Sequence, residues 1–308
     1  MMRRWFSSAD ARALIFLALA PFIYYLPAAL GLKTFFSYDI ESLFYPIRFE
    51  LAQRLAQGAL PFWSSTMHGG FPLLAEGQVG ALYPLNWILY RFFPIHVALA
   101  YSLLPHLALA GVGMFLFLRT QNFRAAASFI GALSFSFSGF FVAKMQHMTN
   151  LIAAGWMPWL FFAHTKFSHA RDLRARRAWF AAMSGIAALM LLNGHPQIDF
   201  MAVTLFGLWV LFSSLTRADA AWRARVKEIG LTLGALTLGA GIAAAQLIPF
   251  VELFAYSVRG ENYAAKEWAS YSLDPARLIQ IISPFALEGP FDPNIEFFGY
   301  AGLLTLAL

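Results

Sequence analysis

Apolar residues fall in long blocks separated by short polar segments. Runs at roughly 12–32, 96–118, 125–143, 150–166, 178–193, 199–216 and 229–250 approach the length of a membrane-spanning helix. Such a helix needs about 20 residues to cross a hydrocarbon layer of about 30 Å. The runs at 150–166 and 178–193 are short for that task. An eighth begins near 298, and the chain stops inside it, in "YAGLLTLAL", which gives the expectation of a C-terminally incomplete protein. The first run lies in "MMRRWFSSADARALIFLALAPFIYYLPAALGL". It is longer than a signal-peptide core and lacks a small-x-small cleavage site, so it reads as a retained span. The expected fold is an all-α, polytopic transmembrane helical bundle of about 7–8 spans. It forms one transmembrane domain over 1–308, with a long first outer loop at 33–95 and a last one at 251–297.

One interval breaks the block pattern. Phe35–Asn86 mixes Asp39, Glu41, Glu50, His68, Glu76 and Gln78 with glycines, prolines and aromatics. Within it Ile40, Leu43, Phe44, Ile47, Leu51 and Leu55 recur at spacings of three and four, which predicts a helix over 40–57. Glu41, Arg48, Gln53, Arg54 and Gln57 fall on other faces, so the segment is expected to lie in the membrane interface as an amphipathic helix. Gly58 serves as its C-cap and Pro61 blocks continuation. "PFW", "HGGFP" and "LYPLNW" then predict irregular backbone at headgroup depth, with Trp63, Tyr83 and Trp87 as interfacial anchors. Two geometries are open for Asp39 and Glu41. Pro46 disfavours α conformation at Tyr45; if the helix starts there, 38–42 is extended and both carboxylates project to one side. If it starts at Ile40, Asp39 is its N-cap.

Composition narrows the class. The charged fraction is 12%, about half that of a soluble chain, and mean hydropathy is +0.60 with 32 phenylalanines. A polytopic α-helical membrane protein fits. The formal charge of +6 does not indicate a nucleic-acid partner, because the basic residues sit between apolar runs. With the N-terminus inside, segments 1–11, 119–124, 167–177 and 217–228 and the flanking span ends hold fourteen of the 22 Lys and Arg residues. The much longer outer segments 33–95, 144–149, 194–198 and 251–297 hold the other eight. This asymmetry is the positive-inside signal, and it predicts a multi-pass protein of the cytoplasmic membrane with a cytoplasmic N-terminus. Twelve of the sixteen acidic residues fall on the outer side, which is where chemistry is then expected. The absence of cysteine excludes disulfides and thiolate metal sites. Walker A, GxGxxG, HExxH and GxSxG patterns are missing. The glycines of Gly230–Gly241 read as close helix packing.

Other outer segments add polar candidates. "NGHPQID" turns sharply through Gly194 and Pro196, and turning does not require His195, Gln197 or Asp199; Asp199 has capping as an alternative role. "KMQHMTN" offers Gln146 and His147 at the same level. Glu252 follows a long apolar run, where a carboxylate is costly unless paired or hydrated, and Arg259 or Lys266 could pair with it. His106, after Pro105, is expected to bond a neighbouring helix. His68, Glu76, Gln78, His147, His195, Gln197, Glu252 and Arg259 form the candidate substrate-binding set.

The long outer loop with its acidic pair, "PFW…HGGFPLLAEGQVGALYPLN", and the later "GHPQ" and "EFFGYAG" together resemble the YfhO-like bacterial membrane proteins, relatives of the GT-C glycosyltransferases. The resemblance covers nearly the whole chain, and Gly69–Asn86 is its most specific part. It implies a multi-span transferase acting on the outer face. A polyprenyl-phosphate sugar would be the donor, a cell-envelope glycan or polymer the acceptor, and membrane lipids the surrounding partner. It also implies an essential acidic residue early in the first outer loop, which maps to Asp39 with Glu41 beside it as the catalytic pair. Glycosyl transfer to a hydroxyl needs a base and a cation for the leaving phosphate. Arg48, Lys144, Arg259 and Lys266 are the candidate cations. No cofactor is required; a divalent metal on oxygen ligands, with Asp39 and Glu41 as the pair to hold it, is compatible but not demanded. Two other classes stand beside this one. They are a transporter or flippase of lipid-linked or anionic solutes, which should show charged or broken helices and repeated halves, and a non-catalytic membrane assembly factor.

Overall fold

A computed structural model describes residues 7–217, 221–257, 274–283 and 286. Within them the chain is helical apart from loops and one isolated antiparallel bridge, Ser64 to Phe71. The predicted eighth span near 298, Arg259, Lys266 and most of the last outer loop lie outside the described residues.

Helix α1 (Ser8–Tyr24) starts with a capping box in which Ser7 and Asp10 satisfy each other's backbone N–H groups. Asp10 also pairs with Arg119 at 2.7 Å, tying the start of α1 to the end of a later helix, Ile95–Thr120. A short α2 (Leu26–Ala29) follows, so the predicted span over 12–32 is broken near Tyr25. The segment between α2 and residue 95 contributes α3 (Tyr45–Ala56) and α4 (Pro84–Phe92). Then come α5 (Ile95–Thr120), α6 (Ala125–Ser136), α7 (Gly139–Ala143), α8 (Met148–Ser168), α9 (Leu173–Asn193), α10 (Pro196–Thr216), α11 (Trp222–Ile242) and α12 (Ala244–Ala255).

Among the described residues, four segments are long and apolar enough to cross a membrane: α5, Ala125–Gln146 (α6 and α7 with the turn after them), α9 and α10. The pair α11–α12 makes a fifth if counted together, although it bends by 76° where one span was predicted at 229–250. The bend follows Gly239 and Gly241, and paired glycines weaken the helical ladder. Of the predicted packing glycines, Gly239 does meet α9: a Cβ there would lie 2.7 Å from the Ser184 carbonyl oxygen. Helix α8, predicted as a span over 150–166, is a 21-residue helix at the centre of the bundle, packed against α5, α9 and α10. Its interior position lets it carry Thr149, Asn150, His164 and Thr165, all buried, at the expense of apolarity. Large apolar side chains instead cover the outside of α1, α10, α11 and α12; Phe200, Leu208, Phe212 and Ile248 are each 60% exposed or more. A surface of that kind suits lipid rather than water.

The amphipathic segment differs from expectation. Ile40, Phe44, Ile47, Leu51 and Leu55 are buried, but against α4, α5 and the Phe141–Met148 stretch. The apolar face enters the protein core and is not laid on lipid. Segment 40–44 is a π-helical turn continuous with α3. Pro46 has no N–H to return to the Ser42 carbonyl, and the wider turn avoids that missing bond. Tyr83 is 2% exposed, so it is no interfacial anchor, whereas Trp63 and Trp87 do stay partly exposed.

The loop docks on the bundle through two glycines. Gly194, held at φ 81° as the C-terminal cap of α9, contacts the Gly77 backbone so closely that a Cβ on it would overlap the Gly77 carbonyl. Left-handed backbone alone costs a residue with a Cβ about 1–2 kcal/mol. Gly194→Ala is therefore expected to destabilise the detergent-solubilised protein by more than about 2 kcal/mol in thermal or denaturant unfolding. Gly185→Ala, in open space on the same helix, should be neutral or stabilising by up to about 1 kcal/mol. Equal effects would contradict the docking contact.

Candidate functional site

The loop-bearing end of the bundle collects the predicted polar residues from four separate segments. Asp39 lies at the start of the π turn, with helical backbone (φ −64°, ψ −26°) and no capping bond from its side chain. Segment 38–42 is thus not extended, and Asp39 is not an N-cap either. Tyr38 before it takes a left-handed φ of 43°, which turns the chain into the helix. The Asp39 carboxylate is 42% exposed and sits 3.1 Å from Nε2 of His147. That contact joins the segment before α3 to the turn between α7 and α8. Glu41 is exposed on the same turn as Asp39.

Glu76, Gln78, His195 and Gln197 are brought near one another by the Gly77–Gly194 contact. Glu76 accepts from the Gln78 N–H and starts a short 3₁₀ turn, Gly77–Val79. His195 Nδ1 accepts from the Ile198 N–H, so His195, and not Asp199, caps α10. Gln197 is exposed. Asn193, at the end of α9, donates to the Thr149 carbonyl at 2.6 Å and holds this turn against α8, two residues from His147. Gln246 donates to the Leu74 carbonyl at 2.5 Å and holds α12 against the loop.

The remaining candidates do not converge. His68 is an exposed loop residue with φ 50°, resting against the Phe71 ring. Glu252 is exposed on α12. Arg259 lies outside the described residues. The described residues contain no group of three His, Asp or Glu side chains suited to a metal, and Asp39 and Glu41 gain no third ligand among them.

Two polar features were not foreseen. The first is Arg48, which was placed on the wet side of α3 as a candidate phosphate cation. It is completely buried, and its guanidinium stacks over the Tyr90 ring at 5.3 Å. None of its three nitrogens has a hydrogen-bond acceptor. Gly80, at φ 55°, leaves room for it: a Cβ there would come within 3.1 Å of the guanidinium and 2.7 Å of Asn86 Nδ2. Burial lowers the Arg48 pKa, opposed by the neighbouring Tyr90 and Tyr83. The second is a chain of donors that crosses from loop to bundle. The His106 Nδ1 lies 2.8 Å from the Ser102 carbonyl, to which it must donate. Its Nε2 then accepts from the Tyr83 hydroxyl at 2.6 Å, and that hydroxyl accepts from the Trp156 N–H at 2.9 Å. Burial pushes the Tyr83 phenol up to about 12, so it stays a donor at neutral pH. His106 was expected to bond a neighbouring helix; its partner outside its own helix is instead Tyr83 of the loop. Glu50, also buried, pairs with Arg54 at 3.2 Å and accepts from Thr66 at 3.0 Å, which fixes the turn before His68.

Sequence periodicity could not find Arg48, because position 48 follows Ile47 directly and lies at the edge of the apolar face. The nearby "VGALYPLN", which brings Gly80, Tyr83 and Asn86 around it, was the available signal.

No protein-family model, curated protein or solved structure matches this chain.

The chemical capacity of this face is that of a half-exposed carboxylate oriented by an imidazole, on a loop whose other polar groups are fixed by backbone caps. Arg48 supports the loop from below at an electrostatic cost. A buried charge without a paired acceptor does not recover its desolvation energy, so an apolar group of similar length should serve as well or better. Arg48→Met is expected to leave unfolding stability unchanged or raise it by about 1–4 kcal/mol. A loss of more than about 2 kcal/mol would mean that the guanidinium makes bonds the geometry does not contain.

Proposed function

We propose that the chain is a multi-pass glycosyltransferase of the cytoplasmic membrane, moving a sugar from a polyprenyl-phosphate donor to a cell-envelope acceptor at the loop-bearing end. The carrying observation is the Asp39–His147 pair, which leaves one carboxylate open to solvent on the face that also holds Glu76, His195 and Gln197. The segregation of basic residues to the opposite end supports an outward orientation for this face. In this reading α1 with α2, and α8, are further spans beside the four long apolar helices and the bent pair.

The chemistry follows from the pair. Asp39 accepts the proton of the acceptor hydroxyl while the acceptor oxygen forms a bond to the sugar's anomeric carbon. The bond from that carbon to the phosphate oxygen breaks, and the lipid phosphate leaves with the electron pair. His147 holds the Asp39 carboxylate in position through Nε2. Arg48 is too deeply buried to meet the phosphate. Lys144, in the turn that leads to His147, is 6% exposed and already engaged. Arg259 and Lys266 remain the proposed cations for the phosphate.

A transport reading draws on a different observation, the 76° break between α11 and α12, because broken spans occur at transporter binding sites.

Sugar transfer from a polyprenyl-phosphate donor, measured in membranes, separates these readings. A positioned base is worth about 10²–10⁴ in rate. Asp39→Asn is expected to lower kcat/KM by at least about 100-fold. Glu41→Gln, exposed and outside the pair, should retain far more activity. Full activity in both folded variants would overturn the acidic-pair assignment. No turnover by the full wild-type chain with any donor would favour transport or an assembly role.

A further inference from the structure

The end of the bundle opposite the loop holds a polar cavity of about 310 Å³, formed where α5, α8 and α10 finish. One wall is the last turn of α8, with His164, Thr165 and Ser168. The others are Gln121 after α5, and Trp209, Ser213 and Arg217 on and after α10. None of these residues takes part in the chemistry proposed for the loop face.

The cavity is lined with donors that lack acceptors. His164 is 1% exposed, and neither ring nitrogen makes a hydrogen bond. Its Nε2 comes to 3.5 Å from Glu228 without bonding. In either neutral tautomer one of the two nitrogens carries an unused N–H. The Trp209 N–H is also buried without an acceptor. Glu228 already accepts from Arg217 at 2.7 and 2.8 Å and from the Ser168 hydroxyl at 2.6 Å, and its separation from His164 is longer than any of these. Arg217 spends one terminal nitrogen on Glu228 and is 27% exposed, so its remaining N–H groups stay available at the rim.

The surroundings decide the sign of the occupant. In residues 7–12, 119–124, 166–177, 217 and 221–228, twelve Lys and Arg outnumber three acidic residues. All three acids are spoken for: Asp10 by Ser7 and Arg119, Asp172 as the cap of α9, Glu228 by Arg217 and Ser168. A cation would meet this positive field with no free carboxylate among the described residues to hold it. An oxygen-rich anion would satisfy the orphaned N–H groups and gain from the field. The volume suits a group the size of a phosphate ester.

We propose that this cavity binds a phosphate group, His164 and Trp209 donating from inside and Arg217 from the rim. Two sources share that chemistry: an anionic lipid headgroup reaching in from the adjacent leaflet, and a soluble phosphate from the aqueous side. Native mass spectrometry and thermal-shift titration of the full chain in neutral detergent distinguish them. The probes are inorganic phosphate, phosphatidylglycerol, and diacylglycerol as the phosphate-free control. Wild type should bind phosphatidylglycerol or inorganic phosphate saturably and should not bind diacylglycerol. Whichever probe binds, and whether free phosphate displaces the lipid, identifies the source. His164→Gln and the charge-balanced double variant Arg217→Gln with Glu228→Gln should each raise Kd at least tenfold. Trp209→Phe, which keeps the aromatic bulk and loses only the N–H, should raise it several-fold and guards against effects of misfolding. Wild type that binds neither phosphate probe, or folded variants that bind as wild type does, would overturn the proposal.

Discussion

Gly77 and Gly194 meet backbone to backbone, and the organisation of the loop-bearing face depends on that approach. A long irregular segment has backbone polar groups to satisfy and little regular structure of its own with which to do it. Here it borrows from the bundle. The α9–α10 turn receives the Gly77–Val79 turn, Gln246 reaches the Leu74 carbonyl, and Tyr83 inserts its hydroxyl between His106 and Trp156. Each contact needs the loop within a hydrogen-bond length of a helix, and the two glycines provide that distance. The same docking brings Glu76 and Gln78 to His195, while α3 packs its apolar face on α4 and α5 and so carries Asp39 to His147.

The bundle in turn separates two chemistries. Its middle is apolar inside and outside, with α8 as the buried axis and the exposed apolar faces of α1, α10, α11 and α12 around it. Polar groups collect at the ends. At one end a carboxylate–imidazole pair stands half open; at the other, Asp10–Arg119 and Arg217–Glu228 close the helix ends in a positive field. Asp39–His147, Asp10–Arg119 and Ser168–Glu228 join segments that are far apart in sequence, so each end is held by tertiary structure as well as by local caps.

Much of the helical layout was legible because it is written in continuous apolar runs. The helices at 96–118, 125–143, 178–193 and 199–216 have the expected places, with boundaries extended by a few residues. Periodicity over 40–57 revealed a face but not what covers it; lipid and a protein core ask for the same leucines and isoleucines, and the core took them. Asp39 and His147 were each singled out, yet their pairing was not, since residues more than a hundred positions apart carry no local sign of contact. Tyr83 was misplaced for a related reason: an aromatic beside prolines reads as an anchor until its hydroxyl is seen to have partners. The bend in α11–α12 hid in glycines that serve packing as well as breaking. His164 and Glu228 were passed over because basic residues around them had already been used to set topology.

In the proposed orientation the face carrying Asp39 and His147 looks outward and the basic end looks into the cytoplasm. The chain has no cysteine, so single cysteines can report directly. Ser37→Cys and Ser65→Cys on the loop, and Arg171→Cys and Ala221→Cys at the basic end, are all at exposed positions. In intact cells a membrane-impermeant maleimide should label the first two and reach the second two only after permeabilisation. Labelling of Arg171→Cys and Ala221→Cys in intact cells, with Ser37→Cys and Ser65→Cys protected, would contradict the account.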